Sequence, residues 1–281
     1  MGDDARFEES NGPPQHGGGS GKPPTRQPLP VRETSAEIVQ TYVDRVRYLP
    51  TVALVPFTVT FLAQGVIVLL GGNPLAQAEG AGGGANPLLL LVAGLLILGA
   101  YIVFLVDWHR LVLLGARPDT TRPRLRLYRR DLRFFGYGLL VGVLALLAAL
   151  PVAVLAPGLG GSAMGGMLLL LIGMLLNLTA TMALGLVLPA AATDRNYGIG
   201  ASIEATKQVI GPILTLVALV LLPGLVIVAA VNSLYALAVG PGGPVVPGML
   251  LSLALEYAMM ALAATMLSVI FRRRAGIDVS A

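Results

Sequence analysis

Asp107-Trp108-His109-Arg110-Leu111-Val112-Leu113-Leu114-Gly115-Ala116-Arg117-Pro118 closes one long apolar run and opens a basic stretch that continues to Arg133. Eight of the chain's 19 Lys and Arg residues fall between Asp107 and Arg133, and a long apolar segment lies on either side. Lys and Arg resist translocation, so the stretch reads as the largest cytoplasmic connection of a polytopic membrane protein. Asp107, Trp108, His109 and Arg110 form a polar, aromatic knot where the preceding apolar run ends.

The composition points the same way. Of 281 residues, 55% are hydrophobic and 12% are charged, against about 25% charged in soluble domains. Such a chain cannot cover a water-facing surface, and its mean hydropathy of +0.78 suits a bilayer. With no cysteine, disulfides, thiolate chemistry and Cys-based zinc sites are excluded. The two histidines, His16 and His109, lie far apart, which argues against a His-cluster metal site, and no cofactor is expected. The pI near 9.6 reflects membrane sidedness rather than nucleic-acid binding, because the basic residues are confined to certain segments.

Residues 1–33 are rich in Gly, Pro, Ser and Gln, have no apolar run, and are expected to form a disordered cytoplasmic tail without a secretory signal. Gly17 to Lys22 has the flavour of a phosphate loop, but His16 and Pro23 stand where that loop needs Gly and Ser or Thr, and no strand precedes it. Thr34-Ser35-Ala36-Glu37 has capping-box spacing. The helix it opens carries Ile38, Tyr42, Val46 and Leu49 on one stripe and charges opposite, as an amphipathic interfacial helix does.

Six hydrocarbon-length segments follow, at about 50–70, 88–106, 134–156, 167–190, 212–235 and 249–271; roughly 20 residues suffice to cross the roughly 30 Å of hydrocarbon. The expected fold is therefore all-α, with a six-helix transmembrane domain over 34–274 and a cytoplasmic tail over 275–281. Six Lys/Arg lie before the first segment, eight between Asp107 and Arg133, two between residues 191 and 211, and three at Arg272-Arg273-Arg274, which accounts for all 19. The alternate loops 71–87, 157–166 and 236–248 have none, which places both termini in the cytoplasm. Three units of roughly 72 residues, 34–106, 119–190 and 200–271, each read as amphipathic helix, span, uncharged turn, span; a triplicated helix-plus-hairpin is one explanation, and generic six-span organisation is the other. Gly138 and Gly142, followed by Ala145 and Ala149, have the small-residue spacing that lets helices approach closely in lipid.

Two groups of residues are candidates for function. Glu256 lies inside the sixth segment, where a carboxylate costs about 2.5–3.5 kcal/mol on insertion scales. Asn177, Gln64 and Tyr257 lie within plausible reach of it, as a polar site for a proton, head group or small solute. The alternative is a glutamic acid that bonds across helices as packing glue. The second group, Trp108, His109, Arg110, Arg126, Arg129, Arg130 and Arg133, suits contact with anionic lipid head groups at the cytoplasmic interface, about 1 kcal/mol for each basic residue. An Asp–His pair at 107 and 109 has no nucleophile nearby, and no reaction can be read from the chain. Pro151, Pro189, Pro212 and Pro223 are candidate helix kinks, and Asn232 and Ser233 candidate caps.

Trp108-His109-Arg110 with Leu113-Leu114-Gly115, then Leu188-Pro189-Ala190 and a short helix carrying Ser202 and Ala205-Thr206, resembles a group of bacterial six-span integral membrane proteins. These are similar to YciC-like inner-membrane proteins and to the membrane domain found beside some glycerophosphodiester phosphodiesterases. The resemblance covers about residues 34–271 and implies a multi-pass inner-membrane protein. It carries no catalytic residues, and the soluble phosphodiesterase domain is absent. The expected role is non-enzymatic, organising lipid or partner membrane proteins, alone or as a homo-oligomer; a small transporter or permease using Glu256 is the alternative.

Overall fold

The computed structural model describes residues 28–69, 86–115, 127–159, 163–240 and 244–275. Among these the regular structure is all helical, with no strand. The helices are α1 (Val31–Val46), α2 (Leu49–Leu69), α3 (Pro87–Leu114), α4 (Arg129–Leu159), α5 (Ala163–Leu184), α6 (Val187–Ala192), α7 (Ile199–Thr206), α8 (Ile210–Val239) and α9 (Val245–Ala275). Five segments are long and apolar enough to cross a membrane: α2, α3, Arg129–Val152 of α4, α8 and α9. The fourth expected span corresponds to α5, a helix of 22 residues that includes the apolar stretch Leu171–Leu184. The expected disordered tail falls outside the described residues as far as residue 27, as do residues 276–281.

Local chemistry explains the helix starts. Asn86 caps α3 by accepting from Leu88 N at 3.0 Å, with Pro87 in the first turn where its missing N–H costs nothing. Asp131 Oδ2 accepts from Tyr128 N at 2.6 Å, the carboxylate half of a capping box that opens α4. The capping box expected at Thr34–Glu37 does not form. The helix already begins at Val31, and Thr34 is a buried interior residue whose N–H bonds Pro30 O at 2.9 Å. Nor does α3 stop at Asp107. Leu111, Val112 and Leu113 continue its apolar face, and the helix runs to Leu114 before Gly115 ends it with φ +80°.

The bundle is organised around α9. In its most apolar window 56% of residues are buried, twice the 28% of α2, α3 and α8. It packs against α1, α2, α3, α6 and α8. The hairpins α2–α3 and α4–α5 pack closely within themselves, and α4–α5 joins the remainder through α3, α6, α7 and α8. A π-helical turn, Val217–Leu221, interrupts α8 directly before Pro223, which has no N–H to continue the regular ladder. Asn232 and Ser233 lie within α8 and not at its end, and Asn232 Oδ1 accepts from Ser252 Oγ of α9 at 2.8 Å.

The end of the bundle that carries Arg272, Arg273 and Arg274 is tied together by polar contacts. The helix α1 does not lie free at an interface: it docks on α9 and α8, burying Ile38, and Glu37 pairs with both Arg272 and Arg273. Arg274 Nε donates to Ala205 O at 2.8 Å. Ser202 Oγ donates to Ala183 O at 2.8 Å, so α7 satisfies a carbonyl that the end of α5 leaves without a helical partner. The α6 terminus closes with Arg195 N on Ala190 O at 2.8 Å and Asp194 at φ +59°, a conformation Asp tolerates better than most residues.

Gly185, in the break between α5 and α6, sits where a side chain has no room. A Cβ there would collide with the Thr181 carbonyl and press on Leu267 Cδ2 at 3.3 Å. A methyl group added at Gly142 would meet nothing within 4 Å. Gly185→Ala is therefore expected to cost on the order of 1–3 kcal/mol and to lower the melting temperature of the detergent-solubilised protein, while Gly142→Ala leaves it unchanged. Equal melting of the two variants would contradict this packing.

Candidate functional site

Two polar rungs join α3 to α9 near the C-terminal ends of both helices. Trp108 Nε1 donates to Thr265 Oγ1 at 2.9 Å, and His109 Nδ1 lies 2.7 Å from Ser268 Oγ. Each hydroxyl also donates to the carbonyl four residues back, Thr265 to Ala261 O at 2.7 Å and Ser268 to Ala264 O at 2.8 Å. A hydroxyl has one proton, so Ser268 accepts from His109, which makes Nδ1 the protonated ring nitrogen. Both rungs are dry, because Trp108, His109, Thr265 and Ser268 are all buried. Phe104 and Tyr42 pack on Trp108 at ring separations of 6.0 and 6.4 Å, and Phe134 packs on His109 at 5.7 Å.

Trp108 and His109 thus do not face head groups as expected from their place in the sequence; they hold helices together. Arg110 differs. Its guanidinium turns to the end of α6, with Nη1 3.4 Å from Ala192 O and 4.0 Å from Asp194 Oδ2. Arg133 reaches the same segment, donating to Asn196 Oδ1 at 3.2 Å. Arg130, one turn earlier on α4, lies over the Tyr128 ring at 4.6 Å, and its buried Nε has no hydrogen-bond acceptor among the described residues. Arg129 is exposed, and Arg126 lies outside the described residues.

The residues expected around Glu256 do not converge into one site. Glu256 is exposed, and its Oε1 accepts from Tyr101 OH of α3 at 2.7 Å. Tyr257 points inward, buried among Phe57, Tyr101 and Phe104, with its hydroxyl 3.0 Å from Thr60 Oγ1 of α2. Gln64 stands one turn beyond Thr60 on the same face of α2, and Asn177 is on α5; both are half-buried, and neither side chain forms a hydrogen bond among the described residues. Sequence reasoning missed Tyr101 and Thr60, whose sole signal was a polar atom at a depth matching Glu256 and Tyr257.

Between α3 and α4 lies an apolar cleft of about 480 Å³, lined by Tyr101, Leu105, Phe134, Gly142, Leu188 and Met260 among others. Gly138 and Gly142 both line it. Their small size therefore opens a space instead of bringing two helices together as expected. The cleft's inner end, at Phe134 and Leu188, is next to the Arg110–Arg133 cluster, and its wall at Tyr101 leads to Glu256. Among the described residues no three His, Asp or Glu side chains converge as metal ligands would.

No protein-family model, curated protein or solved structure matches this chain. The functional reading rests on the side chains themselves.

Thr265→Val preserves shape but strands the Trp108 N–H in a dry site. It is expected to cost about 1 kcal/mol. Combining it with Trp108→Phe is expected to give clearly less than the sum of the two single losses in a double-mutant cycle by thermal unfolding. Strict additivity would mean that this rung contributes nothing to the packing of α3 on α9.

Proposed function

We propose that the chain is a bacterial inner-membrane protein with six crossings and both termini in the cytoplasm, which organises anionic lipid, and through it partner membrane proteins, without catalysing a reaction. Five apolar helices of spanning length support the membrane assignment. Taking α5 as the remaining crossing restores the alternation in which every Lys and Arg is cytoplasmic. The resemblance to YciC-like proteins belongs to the same proposal, as does a threefold repeat of helix-plus-hairpin units.

One observation carries the lipid reading. The folding of α3 and α4 against α6 brings Arg110 and Arg133 to the single segment 192–196, with Arg130 alongside, at the inner end of an apolar cleft. A phosphate needs several N–H donors, and a guanidinium matches its geometry. An acyl chain needs an apolar channel leading away from that phosphate. The buried Nε of Arg130 is a donor with its acceptor still to be supplied.

A second reading, a small permease, draws on the exposure of Glu256 within an otherwise apolar span. Unchanged proton-linked uptake or efflux in Glu256→Gln would argue against it.

Replacing Arg130 and Arg133 together by Gln is expected to weaken retention of anionic phospholipid about 30-fold, taking about 1 kcal/mol per basic residue, and to leave zwitterionic lipid unaffected. Native mass spectrometry after mild extraction measures both, and equal retention of anionic lipid by the variant would end the reading. Reporter fusions after residues 80, 160 and 242 are expected to report from the periplasm; a cytosolic signal from any of them would overturn the topology.

A further inference from the structure

We propose that Glu256, Tyr101 and the cleft between α3 and α4 form a binding site for a lipophilic organic cation, with the positive centre at the Glu256 carboxylate and the apolar body in the cleft. This site shares the cleft with the lipid reading but does not use the arginine cluster, and its ligand class gives the permease reading a substrate.

Four observations meet here. Glu256 is exposed and holds one neutral partner, the Tyr101 hydroxyl at 2.7 Å on Oε1. Tyr101 also lines the cleft, and so does Met260, which lies one helical turn from Glu256 on the same face of α9. The carboxylate therefore stands at the edge of the cavity. The cavity holds about 480 Å³, within the range of sites for small organic ligands, about 300–1,000 Å³. Finally, among the described residues no Lys or Arg pairs with Glu256, and residues 48–109, 134–194 and 208–271 contain none.

These observations discriminate among occupants. A neutral acyl chain fills the cleft but leaves the carboxylate uncompensated within a span, where charge costs about 2.5–3.5 kcal/mol. An anionic amphiphile places like charges together. A second copy of this chain meeting the first through this face would bring Glu256 against Glu256. A partner helix carrying a Lys or Arg has the right charge but would lie over the cleft and leave its interior unfilled, and the test below distinguishes it. A compact cation with an apolar body satisfies both the carboxylate and the cavity, and the Tyr101 ring beside the carboxylate adds attraction of the cation–π kind.

The test uses the full chain in nanodiscs of zwitterionic lipid and two probes of matching shape and opposite charge, tetraphenylphosphonium and tetraphenylborate. Equilibrium dialysis is expected to give saturable binding of the phosphonium and none of the borate. Glu256→Gln is expected to weaken phosphonium binding at least tenfold, and Tyr101→Phe several-fold, with melting temperatures close to that of the parent. Arg130→Gln with Arg133→Gln is expected to leave phosphonium binding unchanged, which separates this site from the lipid surface. Comparable binding of the two probes by the unaltered chain would overturn the proposal without recourse to any variant. So would full phosphonium affinity in Glu256→Gln. Absence of phosphonium binding, together with co-purification of a basic single-span protein that Glu256→Gln abolishes, would overturn it as well and assign the carboxylate to a partner helix instead.

Discussion

Two hydroxyl groups on α9 decide how α3 packs in this bundle. In lipid, apolar surface provides no net drive for helices to associate, so packing and hydrogen bonds must decide which helices pair. Thr265 and Ser268 can each accept a bond from α3 because each disposes of its own proton on the carbonyl one turn back. The partner donors, Trp108 Nε1 and the His109 ring, stand on consecutive residues of α3 and so fix its rotation about its own axis as well as its distance from α9. Once α3 is set, Arg110 next in sequence must turn outward to the end of α6, and Tyr101, two turns back, must arrive beside Glu256. Both candidate functional regions therefore follow from one helix pairing.

The polar ties are unevenly distributed along the bundle. At the basic end of α9, Glu37 joins α1 to α9, Arg274 joins α9 to α7, and Ser202 joins α7 to α5. Toward the other end, Leu222–Val239 of α8 has no buried residue, and Asn232–Ser252 is an exposed polar contact. A bundle cinched at one end and looser at the other leaves space between its hairpins without losing its fold, and the cleft between α3 and α4 runs from the cinched end, at Phe134 and Leu188, toward the looser one.

The membrane class and the helix order are legible in the sequence because they depend on properties that add along the chain: the length of an apolar run and the placement of charge. The partners of Trp108 and His109 are not legible. Thr265 and Ser268 are single hydroxyls in an apolar run, and by sequence they look like Thr58, Thr179 and Thr215, which bond the carbonyl four residues back in their own helices. What distinguishes Thr265 and Ser268 is the second bond, made to residues more than 150 positions away. Asp-Trp-His-Arg at the end of an apolar run has the composition of an interface, and nothing local reveals that α3 extends another turn with its aromatic face covered by α1 and α9. Gly138 and Gly142 mislead for a related reason. Small residues permit close approach but do not compel it, and Phe134 and Leu188 at the cleft's inner end keep α3 and α4 apart.

The charge pattern of the sequence also bears on Glu256. The stretches 48–109, 134–194 and 208–271 contain no Lys or Arg. At the basic end of α9 a carboxylate finds a guanidinium readily, as Glu37 does twice. Glu256 finds a phenol, which can donate a hydrogen bond but cannot cancel a charge. Were the residue packing glue alone, the economical arrangement would bury it against α2 or α3, as its neighbour Tyr257 is buried against Thr60. Instead the adjacent residue takes the buried position and Glu256 is turned outward to the margin of an open, apolar cavity. A helix that tolerates so poor an environment for one carboxylate, while placing its sequence neighbour well, is better explained by what approaches from outside than by what the chain gains from packing.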